Sequence, residues 1–239
     1  MTPIVFVHGF LGGSQQWQRQ AEDLSGFDVI ALDLPGYGKN ARLDALDSIA
    51  GYADWALNEL TERGIQQFHL IGHSMGGMVV QEMVARAPGR IARLVLYGTG
   101  ALGVLPGRFE TIGTSKRRAR ADGPQATARR IAASWFLERE KDAAYEDCAV
   151  IAEQCNLQSI LTGLDAMEGW SGAERLADIE VKTLVIWGDR DRTYPWSQTE
   201  QLWQSIPDAN LAVIPECAHA THLEKPGLFN RVLIDFCAD

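Results

Sequence analysis

The chain has 239 residues, 46% hydrophobic and 22% charged, with a net charge of −9 at pH 7. That length suits one α/β domain with an insertion, or two small domains, and buries a large core. The acidic balance argues against nucleic acid, which needs a basic surface; with no signal-peptide pattern and no apolar run long enough to cross a bilayer, a cytoplasmic protein with no membrane partner is expected.

Residues 3–7 form a continuous apolar run that stops at His8-Gly9, the pattern of a strand buried on both faces. A second run, residues 28–33, ends in the turn chemistry of Leu34-Pro35-Gly36-Tyr37-Gly38. Residues 48–63 read as an amphipathic helix, 68–72 as a third strand, 75–86 as a helix and 93–97 as a fourth strand. This alternation implies a doubly wound, mostly parallel sheet. The rhythm then breaks. Residues 101–178 contain no buried-strand run and read as helices over 111–122, 126–139, 142–155 and 159–168. Strands return at 182–187 and 210–214, and a helix closes the chain over 228–237. The expectation is an α/β core from residues 1–100 and 179–239, with a helical lid (cap) from 101–178 over the C-terminal strand ends, where such sheets hold ligands.

The chemistry starts at Gly72-His73-Ser74-Met75-Gly76-Gly77, a G-x-S-x-G motif between a strand and a helix. In that context the motif is a nucleophile elbow, a turn so tight that the serine backbone is strained and its hydroxyl stands clear of the sheet. A serine needs a base, and the base needs an orienting acid, in the chain order serine, acid, histidine. Of five histidines, His8, His69 and His73 precede any such acid. His219 lies in the loop after the last strand and is the preferred base; His222, three residues on, is a capping or pocket-wall residue. The acid comes from Gly188-Asp189-Arg190-Asp191. Asp191 sits deeper in that loop, whereas Asp189 can hold the turn or pair with Arg190. The stretch after the preceding strand, residues 97–101, offers no carboxylate. An oxyanion hole would take its N–H groups from Met75, at a helix N-terminus, and from Phe10 in the glycine-rich loop 8–14.

Cys148, Cys155, Cys217 and Cys237 have no metal-ligand spacing and are expected reduced and packed in apolar surroundings. Trp135, Met167 and Trp170 are candidates for an apolar substrate pocket, with His222 at its wall. The lid is basic within an acidic chain, through Ser115-Lys116-Arg117-Arg118-Ala119-Arg120 and Arg129-Arg130. Such a run is either a solvated face or a source of an arginine for a substrate carboxylate.

Together, His8-Gly9-Phe10, Asp33-Leu34-Pro35-Gly36-Tyr37-Gly38, the Ser74 elbow, Gly188-Asp189-Arg190-Asp191 and Ala218-His219 with Leu223-Glu224-Lys225-Pro226 resemble the α/β-hydrolase superfamily, in its serine-nucleophile branch of small lidded hydrolases. The resemblance covers nearly all of the chain outside the lid. It implies Ser74 as nucleophile, Asp191 as acid, His219 as base, and the N–H groups of Phe10 and Met75 as oxyanion hole. This chain has Ala218 where many relatives have glycine, and it starts at the strand leading into the oxyanion loop, without the usual N-terminal hairpin, so about six strands are expected. A serine nucleophile separates it from similar epoxide hydrolases and haloalkane dehalogenases, which attack with aspartate. What the resemblance leaves is cofactor-free, metal-free chemistry on a small-molecule ester or lactone. Carboxylester hydrolysis leads; enol-lactone, thioester or carbon–carbon hydrolysis, perhydrolysis, and a ligand-receptor role on the same fold are the alternatives.

Overall fold

The computed structural model, described for residues 1–106 and 110–238, contains one six-stranded, all-parallel sheet flanked by helices. In chain order the strands are β1 (Ile4–Val7), β2 (Val29–Leu32), β3 (Phe68–His73), β4 (Ile91–Tyr97), β5 (Thr183–Gly188) and β6 (Asn210–Ile214). The helices are α1 (Gln18–Asp23), α2 (Ile49–Glu62), α3 (Met75–Arg86), α4 (Ile112–Asp122), α5 (Pro124–Ser134), α6 (Tyr145–Ala152), α7 (Leu157–Glu168), α8 (Trp196–Ser205), α9 (Thr221–Glu224) and α10 (Pro226–Cys237). The four residues of β1 show why the sheet is covered on both sides. Val5 and Val7 join an apolar cluster with α2 and α3, while Ile4 and Phe6 join another with Trp17, Phe229 and Leu233.

The strand order β2-β1-β3-β4-β5-β6 decides which loops meet. Val7 pairs with both Leu32 and Gly72, so the loop after β1 lies beside the turn after β3. Gly188 pairs with Ile214, so the loops after β5 and β6 are neighbours. All four strand ends face the same way because the pairing is parallel throughout.

The region between β4 and β5 is helical, α4 to α7, as its composition predicts. The expected lid range of 101–178 includes residues 107–109, which lie outside the described residues. Its two ends are zipped together: Leu102 and Ser171 form an isolated antiparallel bridge, flanked by Gly172 N–H to Ala101 O (2.9 Å) and Gly103 N–H to Trp170 O (3.1 Å). Two helices run shorter than their sequence pattern. α5 stops at Ser134 rather than 139, and Arg139 takes a positive φ of 52° in the turn that follows. α6 covers Tyr145–Ala152 rather than 142–155. The periodicity misses α1 and α8, because α1 is only six residues of mostly polar sequence and α8 follows Pro195 directly. All four cysteines are buried and free, and burial pushes each thiol up to about 12. No helix among the described residues is long and apolar enough to cross a membrane.

Candidate active site

Ser74 joins β3 directly to α3 with φ 55° and ψ −120°, a conformation that costs a non-glycine residue about 1–3 kcal/mol. The surrounding backbone holds it there. Ser74 N–H donates to Tyr97 O (3.0 Å), and its carbonyl accepts from Thr99 Oγ1 (2.7 Å) and Gly77 N–H (2.9 Å). The turn closes only because its neighbours lack side chains. A Cβ on Gly72 would come within 2.5 Å of Gly76 O, and one on Gly9 within 2.8 Å of Ser74 Cβ.

The loops after β5 and β6 bring Asp191 to His219. His219 Nδ1 lies 2.9 Å from Asp191 Oδ2, and the two side chains are 1% and 0% exposed. The other carboxylate oxygen of Asp191 accepts from the N–H groups of Thr193 (2.7 Å) and Tyr194 (3.2 Å). A carboxylate with those partners requires a donor at His219 Nδ1, which leaves Nε2 as the acceptor. The Tyr194 ring stacks on the imidazole at 5.7 Å. The His219 carbonyl is anchored as well, accepting from Tyr97 Oη (2.7 Å) and His73 Nε2 (3.1 Å). Asp189 instead lies 3.6 Å from Arg190, and its N–H donates to Ile214 O (3.1 Å), a turn-holding position.

The loop after β1 is tied down just as closely. His8 Nε2 accepts from Leu34 N–H (3.0 Å), so its Nδ1 carries the proton and donates to Gly9 O (2.7 Å). Burial lowers the pKa of His8 and keeps it in that neutral form. Asp33 accepts from Ser14 N–H (2.8 Å) and Ser14 Oγ (2.7 Å), and Leu11 takes φ 62°. Phe10 therefore projects from a fixed loop, edge-on to Tyr37 at 6.1 Å.

A family model described as the alpha/beta hydrolase fold matches residues 2–226. The chain belongs to this family. It is 31% identical over 246 residues to the "Putative carbamate hydrolase RutD" of Azorhizobium caulinodans, a match spanning 100% of this chain and 92% of that one. It is 27% identical to the 2-hydroxy-6-oxo-6-phenylhexa-2,4-dienoate hydrolase of Comamonas testosteroni, over 98% and 86% of the two chains. Among solved structures, the enol-lactonase of Burkholderia xenovorans LB400 superposes with a TM-score of 0.90 at 24% identity, covering 100% of this chain and 92% of that one, a likeness of fold.

In this α/β hydrolase, Ser74 opens onto a cavity of about 50 Å³ whose walls include Phe10, Leu105, Ile131, Trp135, Met167 and Tyr194. A second hollow of about 10 Å³ lies among Gly9, Phe10, Gln16, Ser74, Trp135 and His219. Ser74 and His219 thus face one small space, about the room of one water molecule. Two of the four pocket candidates, Trp135 and Met167, line the larger cavity. The other two sit elsewhere. Trp170 turns to α3, donating Nε1–H to Glu82 Oε1 (2.8 Å). Burial works to raise the Glu82 pKa, but hydrogen bonds from Arg175, Arg86 and Trp170 hold it at about 2. His222 is sandwiched behind His219, its ring stacked on Trp17 at 4.3 Å and its Nδ1 3.1 Å from Tyr97 Oη. Burial and the nearby His219 depress it to about 3, and burial with His219 and His222 nearby holds His73 well below the usual histidine range.

Sequence patterning passes over Tyr194 and Glu224. Tyr194 is signalled only by its position three residues past Asp191. Glu224 belongs to the quoted Leu-Glu-Lys-Pro segment, and its carboxylate accepts from Ala218 N–H and Leu137 N–H (both 2.7 Å), joining the His219 loop to the helical insertion. Among the described residues, no group of three His, Cys, Asp or Glu side chains is arranged to hold a metal ion.

Proposed function

We propose that this α/β hydrolase is a serine hydrolase acting on a small carboxylic ester, with Ser74, His219 and Asp191 as its triad. One observation carries the reading: a strained serine shares a one-water space with a histidine whose far nitrogen is bonded to a buried carboxylate. In the reaction, Ser74 Oγ attacks the ester carbonyl while His219 Nε2 takes its proton. That proton passes to the departing alcohol, leaving an acyl group on Ser74. Water then attacks the acyl carbon, again losing its proton to His219 Nε2, and the proton returns to Ser74 as the acid leaves. Asp191 keeps Nδ1 protonated and stabilises the imidazolium. The N–H groups of Phe10 and Met75 are the oxyanion donors, the latter at the N-terminus of a twelve-residue helix. Residues 101–178 act as the lid, supplying Trp135 and Met167 to a cavity whose size suits a short acyl group.

Steady-state hydrolysis of 4-nitrophenyl esters from acetyl to long acyl chains tests this reading. Activity with a short-chain optimum, reduced at least about 10³-fold in Ser74→Ala, is expected. Activity surviving in Ser74→Ala sinks the proposal. Turnover confined to lactones or dienoic keto acids, yet still lost in Ser74→Ala, moves the substrate to those bonds on the same residues.

A further inference from the structure

A cavity of about 270 Å³ adjoins the one at Ser74 and is lined by Arg118, Arg130, Ser134, Arg139, Arg192 and Thr193. Ser134 and Thr193 line both cavities, so the two lie side by side. Four of these six residues are arginine and none is acidic, in a chain whose net charge is −9. The arginines come from three places: α4, α5 with the turn after it, and the core loop that carries Asp191.

The local carboxylates do not use up this charge. Arg118 and Arg130 share Glu110, at 3.0 and 3.2 Å, and Arg118 lies 3.8 Å from Asp122. Arg130 retains two buried nitrogens, Nε and Nη2, with no hydrogen-bond partner among the described residues. Arg192 spends one Nη2–H on Leu137 O (3.0 Å). Those two nitrogens are sealed from any ligand, so the forks that a carboxylate or phosphate can reach are those of the exposed Arg139 and Arg192. The apolar Ser74 cavity, with Phe10, Leu105, Ile131 and Met167, borders this arginine-lined one at Ser134 and Thr193.

We propose that the arginine cavity is an oxyanion subsite, and that the enzyme acts on esters whose acyl chain runs from Ser74 through the apolar cavity to end in a carboxylate or phosphate. The inference rests on the serine-hydrolase reading for its direction of binding, but the subsite is testable without turnover.

Two matched probes are 4-nitrophenyl hydrogen adipate and 4-nitrophenyl hexanoate, equal in chain length and different only in the terminal charge; a phosphonate-ended analogue separates carboxylate from phosphate preference. The expected ratio of kcat/KM, anionic over neutral, is about tenfold or more, and it falls toward one in Arg139→Gln with Arg192→Gln. Arg139 is exposed, so Arg139→Gln alone is a variant whose folding is safe, and a several-fold fall in the ratio is expected for it. A ratio near one in the parent, or one unchanged in both variants, overturns the proposal. Calorimetric titration of monomethyl adipate into Ser74→Ala, against methyl hexanoate, supplies the second arm. Tighter monomethyl adipate binding that weakens in Arg139→Gln supports the subsite even if no ester turns over, a result that would sink the catalytic reading alone. Equal binding of the charged and the neutral ligand overturns the subsite whatever the ester kinetics.

Discussion

The sheet and the helical insertion between β4 and β5 handle charge in opposite ways. The insertion carries most of its charge toward solvent, in ion pairs among its own residues such as Lys116 with Asp165 and Glu168 and Arg129 with Glu146 and Glu153, with the Glu110–Arg130 pair its partly buried exception. The sheet and its flanking helices admit few buried charged groups, and the two buried carboxylates there each serve a single junction. Asp191 binds His219, and Glu82 on α3 gathers Trp170 and Arg175 from the C-terminal end of the insertion. A solvated pair contributes little because water screens it, whereas a buried carboxylate is expensive to leave unpaired. Substitutions at the two kinds of charge should therefore differ in size and in what they change.

The largest effect is expected at Asp191. Asp191→Asn keeps the shape but presents an amide to His219 and favours the wrong tautomer, so kcat for a 4-nitrophenyl ester should fall about 10⁴-fold with a small change in melting temperature. A loss below about tenfold would remove Asp191 from the proposed triad. Glu82→Gln reverses that pattern. It weakens the hold on Trp170 and Arg175, and with Arg175 partly solvated the cost should be about 2 kcal/mol, read as a lower urea midpoint with kcat changed less than stability. Equal stability of Glu82→Gln and the parent would show that the insertion is not fastened there.

Acid pH probes the buried core directly. His8, His73 and His222 all have native pKa values below that of an unfolded histidine, about 6.5. Below that pH the unfolded chain binds protons that the native chain refuses, so stability falls as pH falls. For His222 the window runs from about 6.5 down to about 3. Each histidine contributes a slope of about 1.4 kcal/mol per pH unit inside its window. Urea midpoints at pH 7 and pH 5 should show the drop, and His222→Phe should make it shallower; a pH-independent midpoint contradicts the burial of these rings in neutral form. The smallest effect belongs to the insertion's surface. Lys116→Gln should cost no more than about 0.5 kcal/mol, since both its partners are about half exposed, and the difference should vanish in high salt. A loss of 2 kcal/mol there would erase the contrast between the two regions.

Local patterns in the chain are enough to place the strands, the turn at Ser74 and the order of the candidate site residues. The apolar run Ile4–Val7, too short for a helix and stopped by His8-Gly9, reads as a strand buried on both faces, and Gly72 and Gly76 leave room for one tight turn around Ser74. Tertiary structure decided what those patterns do not encode, namely which side chains share a space. Trp170 and His222 have the composition of pocket residues, yet one is drawn to the Glu82 carboxylate and the other is packed on Trp17. Arg118, Arg130, Arg139 and Arg192 lie up to 74 residues apart in the chain and become one cavity wall only when α4, α5 and the loop after β5 converge. The physical reason is one of range: periodicity and turn chemistry act over a few residues, while packing and electrostatics act between groups that only the strand order brings together.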